Sequence, residues 1–199
     1  MDRREREFLR ADAQQNRARI VEAAREALTA SSDASLNSIA KKAGVGPGTL
    51  YRHFPNREAL VLAVYRYDVQ QLGDSAPLLL AQHPPLTALR LWFDRLADYG
   101  RIKHGLADVL HAATSDDLAG ETYGPVIGAI TLLMQACQDA GSIGSNLSPD
   151  DVLLVVGFLW RLDIGDDWAA RSGRLLDLVM DGLRAGAPGQ QSGGDRHMV

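Results

Sequence analysis

The feature that most constrains the fold is the stretch SLNSIAKKAGVGPGTLYRHFPNR, which runs from residue 35 to residue 57. A serine suited to cap a helix is followed by an apolar face of helical spacing, made of Leu36, Ile39, Ala40 and Ala43. Gly44 breaks this helix, and Pro47 fits the first turn of a second one, where its missing N–H is not needed. Leu50 and Phe54 then repeat one turn apart. The stretch therefore predicts two short helices joined by a tight turn.

The second of these helices leaves small, hydrogen-bonding and cationic residues on its outer side. When Leu50 and Phe54 face inward, the outward residues are Gly48, Thr49, Arg52 and His53, with Tyr51 at the flank. The major groove of DNA admits one helix, and hydroxyl, arginine and tyrosine side chains reach base edges or phosphates. Arg57 follows at the start of the next helix, where its charge could hold a phosphate. The pattern is typical of a DNA recognition helix, with plain core packing as the alternative.

The stretch and its flanks resemble the DNA-binding signature of TetR-type transcriptional regulators, over residues 12 to 72. The matching motifs are Ile39-Ala40, Ala43-Gly44-Val45, Gly48-Thr49-Leu50-Tyr51, His53-Phe54 and Glu58-Ala59-Leu60. The resemblance implies a DNA-binding set made of Ser35, Asn37, Pro47, Gly48, Thr49, Tyr51, Arg52, His53 and Arg57. Two positions depart from the family pattern, because Gly46 stands where a capping Ser or Thr is common and Arg57 where a Lys is usual. A recognition helix with a weaker N-cap is therefore expected.

Charge is divided unequally along the chain. Residues 1–66 carry 12 Lys+Arg and 8 Asp+Glu, whereas residues 67–199 carry 9 and 17. The basic N-terminal part, residues 1–66, attracts phosphates, so DNA affinity should fall steeply with salt. The single Cys137 fits a reducing compartment, and we find neither a long uncharged apolar run nor the apolar core of a signal peptide. A soluble, cytoplasmic protein without a membrane span is expected.

The remaining periodicities predict an all-α chain in two parts. Residues 1–13 are dense in charge and are expected to form a flexible arm, with a minor-groove arm as the alternative. Residues 14–72 should form a three-helix DNA-binding domain with its helix-turn-helix motif at 35–54. Residues 73–186 should form a larger helical domain, and residues 187–199, rich in Gly, Ser and Gln, a disordered tail.

The larger domain weakly resembles the C-terminal domains of the SbtR-like subgroup of TetR regulators. One predicted helix starts at Pro84-Pro85, and the others occupy the ranges 105–113, 125–140, 151–162 and 166–185. In the family the last two helices form a four-helix dimer interface, which corresponds here to 151–162 and 166–184. The first of these is apolar almost all round, which requires packing partners on more than one side. The alternative is a monomer in which this helix is the central core.

The resemblance also implies a small-molecule pocket in this domain. Its candidate lining residues are Trp92, Phe93, Tyr99, Tyr123, Met134, Phe158 and Trp160. Aromatic and Met residues at helical spacing are more often plain core. A polar set, His104, Asp108 and His111, has i, i+4, i+7 spacing and is a further candidate for ligand contact. A solvated face is the commoner case for such a set and a metal site the rarer one, and we expect no metal or cofactor.

The predicted function is a homodimeric, one-component regulator of transcription. It would act as a repressor that binds a palindromic operator and is released by a small organic ligand. The alternatives are a ligand-binding or interaction module that has lost operator function, and a ligand-independent DNA-binding protein. An enzyme is not expected, because the sequence contains no Ser nucleophile motif, CxxC pair or HExxH motif.

Overall fold

The structure is a computed structural model that describes residues 3–31, 33–105, 116–162, 165 and 167–186. The α-helices in this part of the chain are α1 (Arg3–Ala30), α2 (Leu36–Ala43), α3 (Pro47–His53), α4 (Arg57–Gln82), α5 (Pro85–Gly105), α6 (Asp116–Asp139), α7 (Pro149–Val156) and α8 (Trp168–Ala185). A 3-10 helix over Gly157–Arg161 follows α7. No strand occurs among the described residues, and the predicted all-α class is confirmed.

The chain divides into two compact units. Its described residues up to Asp68 belong to the first unit, and those of 69–104 and from 116 onward belong to the second. Helix α4 therefore contributes its N-terminal part to the first unit and the rest to the second. Within the described ranges, no helix combines the length and the apolar character that crossing a bilayer requires.

One hydrophobic core holds the helices of the first unit together. Its buried side chains come from all four helices and include Ile20, Val21, Ala24, Ile39, Ala40, Ala43, Leu50, Phe54, Leu60 and Val64. Leu50 is fully buried and Phe54 is 2% exposed, as their spacing predicted. Burial of such a side chain contributes about 1.5 to 3 kcal/mol. The short helix α3 is thus held by these two residues, which fixes the direction of its other face.

Helix α1 begins earlier than predicted. We expected a flexible arm over residues 1–13 and a helix from Gln15, but α1 is continuous from Arg3. Alanine, arginine, glutamate and glutamine make up most of residues 3–15, and all four have high helix propensity. Just after this segment, Asn16 Nδ2 donates a hydrogen bond to Asp12 Oδ2 at 3.1 Å, one helical turn away. A high density of charge did not exclude a helix.

The second unit has its own core, built around two aromatic residues of α5. Trp92 and Phe93 are fully buried, with ring centroids 5.9 Å apart. The Trp92 indole Nε1 donates a hydrogen bond to the backbone carbonyl of Leu72 in α4 at 3.0 Å. Other helices of this unit add Ile130, Leu133, Met134, Cys137, Val152, Val156, Trp168, Leu176 and Met180. Burial raises the pKa of the Cys137 thiol to about 11, so this cysteine is a neutral core residue.

A predicted helix start at Pro125 proved to be a helix interior. Helix α6 begins at Asp116, and Pro125 lies inside it. A proline inside a helix removes one backbone hydrogen bond. Gly73 of α4 lies close to this proline, since a Cβ on Gly73 would be 3.0 Å from the Pro125 Cβ. Glycine at residue 73 therefore lets α4 approach α6.

The predicted helix over 151–162 is shorter than expected. Helix α7 ends at Val156, and the chain tightens into the 3-10 helix that carries Trp160. Trp160 lies against the backbone of Gly100 in α5, where a Cβ would be 2.5 Å from the indole ring. Its ring also meets Tyr99 edge-on, with centroids 6.0 Å apart. This contact joins residues distant in sequence, and helical periodicity alone reveals neither the contact nor the change of helix type.

Candidate nucleic-acid interface

Both ends of helix α2 are fixed by specific contacts. The Ser35 Oγ accepts a hydrogen bond from the Ser38 backbone N–H at 3.2 Å, which confirms the predicted N-cap. At the other end Gly44 adopts φ 66°, and the Val45 N–H donates to the Ala40 carbonyl at 3.0 Å. This is the hydrogen bond that ends a helix in a left-handed turn. The turn between α2 and α3 is therefore defined by local sequence.

Two arginines of α1 contact the helix-turn-helix motif, one at the end of α2 and one at the end of α3. Arg19 Nη2 donates to the carbonyl oxygen of Ala43 at 2.6 Å, at the C-terminus of α2, where a cation is favoured. The guanidinium carbon of Arg17 lies 5.3 Å from the centre of the Phe54 ring, within range of a cation–π interaction. The sequence analysis did not single out either arginine, because their partners lie far along the chain and no motif records them.

Helix α3 starts without a side-chain cap. Gly46 is its N-cap and makes no side-chain hydrogen bond, and Pro47 is in the first turn, as predicted. A Cβ built on Gly46 or on Gly48 would meet nothing within 4 Å. The N-terminal end of α3 is thus open, with small residues that leave room for another molecule.

The outer side of α3 carries six of the nine residues predicted to bind DNA. Pro47, Gly48, Tyr51 and Arg52 are exposed, with Tyr51 at 48%, whereas Thr49 and His53 are half-buried. Arg52 donates hydrogen bonds within its own helix, from Nε to the Gly48 carbonyl at 3.2 Å and from Nη2 to the Thr49 Oγ1 at 3.1 Å. These bonds are exposed, so water or a ligand can replace them at low cost. The arrangement offers a hydroxyl, a phenol, an imidazole and a guanidinium on one surface.

The other three predicted residues lie beside α3 rather than on it. Asn37 is exposed near the start of α2, and the Ser35 hydroxyl is already used as the helix cap. Arg57 is half-buried, and its Nη1 donates to the carbonyl oxygen of Ala34 at 2.5 Å. The sequence analysis gave Arg57 a phosphate-binding role and did not foresee this bond, which ties the start of α4 to the segment before α2.

An ion pair joins α1 to α4 within the first unit. Arg25 Nε donates to Asp68 Oδ1 at 2.6 Å, and Asp68 is only 7% exposed. Burial raises the pKa of the Asp68 carboxyl, and the attraction of Arg25 offsets this only in part. The other carboxylate oxygen, Oδ2, has no hydrogen-bond partner among the described residues. The two helices are therefore linked by a charged group that burial disfavours.

The residues predicted to line a ligand pocket are placed unevenly. Trp92, Phe93 and Met134 are completely or almost completely buried, and Tyr99 is 8% exposed. Phe158 is half-buried and Trp160 is 38% exposed. Of the remaining predicted residues, Tyr123 lies at the surface. The side chains of His104, Asp108 and His111 lie outside the described part of the structure. Tyr123 is 48% exposed, and its hydroxyl lies 2.5 Å from Asp150 Oδ1, while nothing is described of the three other side chains.

Comparison with known families covers both units. Residues 20–64 match the bacterial regulatory proteins of the tetR family. Residues 84–185, about half of the chain, match the C-terminal domain of SbtR-like transcriptional regulators. The chain belongs to the TetR family. It is a helix-turn-helix regulator of transcription and not an enzyme. TetR-family regulators bind DNA, usually as dimers.

Two solved TetR structures are similar over most of their length. A TetR transcriptional regulator from Streptomyces coelicolor is 44% identical, with a TM-score of 0.74, over 84% of this chain and 98% of that one. A TetR regulatory protein from Mycobacterium vanbaalenii is 32% identical, with a TM-score of 0.70, over 88% of this chain and 99% of that one. The HTH-type transcriptional regulator UidR of Escherichia coli K12 is 38% identical over 65 residues. That match spans 32% of this chain and 33% of UidR, so the chain matches about a third of this relative.

Proposed function

We propose that this TetR-family chain is a homodimeric, one-component repressor that binds a palindromic operator through α3. The observation that carries the proposal is the outer face of α3. There Tyr51 and Arg52 are exposed beside two glycines with free space around them, and two buried side chains anchor the helix. A rigidly held helix with exposed polar groups suits the major groove. We keep residues 14–72 as the DNA-binding domain and 73–186 as the ligand-binding and dimerisation domain. We expect the protein to act in the cytoplasm, where its DNA target is.

Exposed apolar residues on the last two α-helices support the homodimer. Leu154 and Val155 of α7 are 80% and 59% exposed in the single chain, and Leu178 of α8 is 69% exposed. All three fall in the ranges 151–162 and 166–184 that the family resemblance assigned to the interface. Burying a side chain of this size contributes about 1.5 to 3 kcal/mol. A second copy of the chain would cover them and place two α3 helices about one DNA turn, or a multiple, apart.

Release of the operator would follow a population shift. A small organic ligand that binds better to a conformation with the wrong α3 spacing lowers the population that fits DNA. Coupling of this kind is typically about 1 to 3 kcal/mol. The residues we assign to the ligand are the buried aromatic and Met side chains around Trp92 and Met134, with the polar set at 104–111 as a further candidate.

The test is a selection of bound fragments from sheared source DNA at moderate salt, read by sequencing. A palindromic site with half-sites about one turn or a multiple apart supports the dimeric regulator. Tyr51→Ala should then weaken binding to that site by about 5- to 150-fold, because one specific contact is worth about 1 to 3 kcal/mol.

The matched control is Tyr67→Ala, since Tyr67 is also exposed, at 36%, but lies on α4. Both variants should keep the mass of the wild-type dimer in sedimentation. Equal operator affinity for Tyr51→Ala and wild type would refute the role of α3. Enrichment of no site at all would favour an interaction module without operator function, and an operator that no metabolite releases would favour a ligand-independent protein.

A further inference from the structure

The Arg52 side chain is held against its own helix by two hydrogen bonds. Its Nε donates to the Gly48 carbonyl at 3.2 Å, and its Nη2 donates to the Thr49 Oγ1 at 3.1 Å. Residues three and four positions apart share a helix face, and long helical side chains lean towards the N-terminus. The guanidinium therefore lies beside the first turn of α3, although the backbone of Arg52 belongs to the last turn.

These two bonds occupy one edge of the planar guanidinium and leave another edge open. The occupied edge is formed by Nε and one N–H of Nη2. The open edge is formed by Nη1 and the second N–H of Nη2, which neither bond uses. Both acceptors are neutral oxygens, so neither bond neutralises the positive charge. Arg52 thus offers two donors side by side, in an orientation fixed by its own helix.

The first residues of α3 leave room for another molecule beside this guanidinium. A Cβ on Gly46 or Gly48 would meet nothing within 4 Å, and Arg52 itself is exposed. In a helix-turn-helix protein the first residues of the recognition helix contact base edges in the major groove. The bonds to Gly48 and Thr49 therefore hold the guanidinium at the part of α3 that a base edge can approach.

We propose that Arg52 recognises one guanine in each half-site and that Thr49 is the positioning residue for its guanidinium. This inference rests on the proposed function, because it names the base that the same surface recognises. A guanidinium only donates hydrogen bonds, and guanine offers two acceptors, N7 and O6, in the major groove. Adenine and cytosine present a donor there, and thymine presents one acceptor beside a methyl group. Two adjacent N–H donors therefore match guanine better than any other base.

The role given to Thr49 differs from a direct contact with DNA. In the free protein, water competes for the exposed bond between Thr49 and Arg52. Within the groove the same bond is shielded from water and becomes stronger. A side chain oriented before binding also loses less freedom on binding. Removal of the hydroxyl should therefore lower the preference for guanine while the positive charge stays in place.

The experiment measures base preference with a library of synthetic duplexes whose central base pairs are randomised over two half-sites. Wild type is compared with Arg52→Gln, Thr49→Val and Thr49→Ser, since valine keeps the shape of threonine and serine keeps its hydroxyl. Arg66→Gln is the matched control, because Arg66 is exposed in the same unit but lies on α4. Circular dichroism and sedimentation check the helicity and mass of every variant.

Wild type should prefer guanine at one position of each half-site by about 5- to 150-fold. Arg52→Gln should remove this preference and leave the preferences at the other positions. Thr49→Val should reduce the guanine preference by about two- to tenfold, and Thr49→Ser should restore most of it. When Thr49→Val is added to Arg52→Gln, it should change this position no further. Arg66→Gln should keep the wild-type preference.

A loss of affinity in Arg52→Gln with the guanine preference intact would overturn the proposal in favour of a phosphate contact. Equal guanine preference in Thr49→Val and wild type would overturn the positioning role of Thr49. A wild type that selects a site in which no position requires guanine would refute this inference and leave the proposed function standing. A wild type that selects no site would refute both. The two failures are therefore distinguishable.

Discussion

At the scale of single residues, Gly44 is held to glycine by two separate constraints. Its φ of 66° is costly for residues with a Cβ, and a Cβ there would lie 2.6 Å from Arg19 Nη2. A side chain at this position would therefore strain the turn and displace the arginine that caps α2. The turn that orients α3 therefore depends on glycine at residue 44 and on the hydrogen bond that Arg19 makes to the end of α2.

Gly44→Ala should reduce the free energy of unfolding by at least about 1 kcal/mol, measured by urea denaturation. Gly48→Ala is the matched control, because Gly48 is helical and has open space around it. That change should be neutral or stabilising by up to about 1 kcal/mol. A Gly44→Ala variant as stable as Gly48→Ala would contradict the role assigned to the turn.

At the scale of helices, the link between α1 and α4 depends on a buried acid. The pKa of Asp68 is raised above its ordinary value of 3.8 mainly by burial. The folded state therefore holds the proton more tightly than the unfolded state does. It follows that the contribution of Asp68 to stability falls as the pH rises from about 4 through the raised pKa.

The measurement is the free energy of unfolding of wild type and Asp68→Asn between pH 4 and pH 7. Asparagine does not titrate, so the difference, wild type minus variant, isolates residue 68. We expect this difference to become less favourable to wild type as the pH rises. A difference that grows with pH would mean that the Arg25 pair, rather than burial, dominates the carboxyl group.

How much of each element could be predicted depended on how local its signals were. The N-cap Ser35, the break at Gly44 and the first-turn Pro47 act on their own neighbours, so α2 and α3 were predicted closely. The start of α1 was wrong because charge was given more weight than helix propensity. The end of α7 was wrong because the apolar spacing continues past Val156 and does not distinguish an α-helix from the 3-10 helix that follows.

The same distinction applies to the candidate site. Residue types and spacing were enough to identify α3 and its outward side chains. The contacts of Arg17 with Phe54, of Arg19 with Ala43 and of Arg57 with Ala34 join different elements, and spacing does not encode them. A sequence can thus indicate which groups are offered to DNA before it indicates which groups hold them in place.

At the scale of the whole molecule, regulation by a dimer requires a surface between two copies. Leu154→Glu should shift the protein towards monomer, because a charge would replace the most exposed large apolar side chain described, at 80%. Operator affinity should fall with it, since one α3 helix alone spans only a few base pairs. Sedimentation over a range of concentrations measures the first effect, and titration of the operator the second.

Leu78→Glu is the control for that experiment. Leu78 is also a well-exposed leucine, at 60%, but it lies on α4, outside the ranges proposed for the interface. It should leave the mass unchanged. A monomer produced by Leu78→Glu, or a dimer retained by Leu154→Glu, would place the contact between copies elsewhere.

The tryptophans described above are distributed in a way that makes the two units optically distinct. All three, Trp92, Trp160 and Trp168, belong to the second unit, and the first contains none. Indole emission therefore follows only the second unit, whereas far-ultraviolet dichroism follows the helices of both. Without any attached dye, the chain carries a reporter for one half of itself, and a lag between the two signals during denaturation would be a direct record of one unit melting before the other.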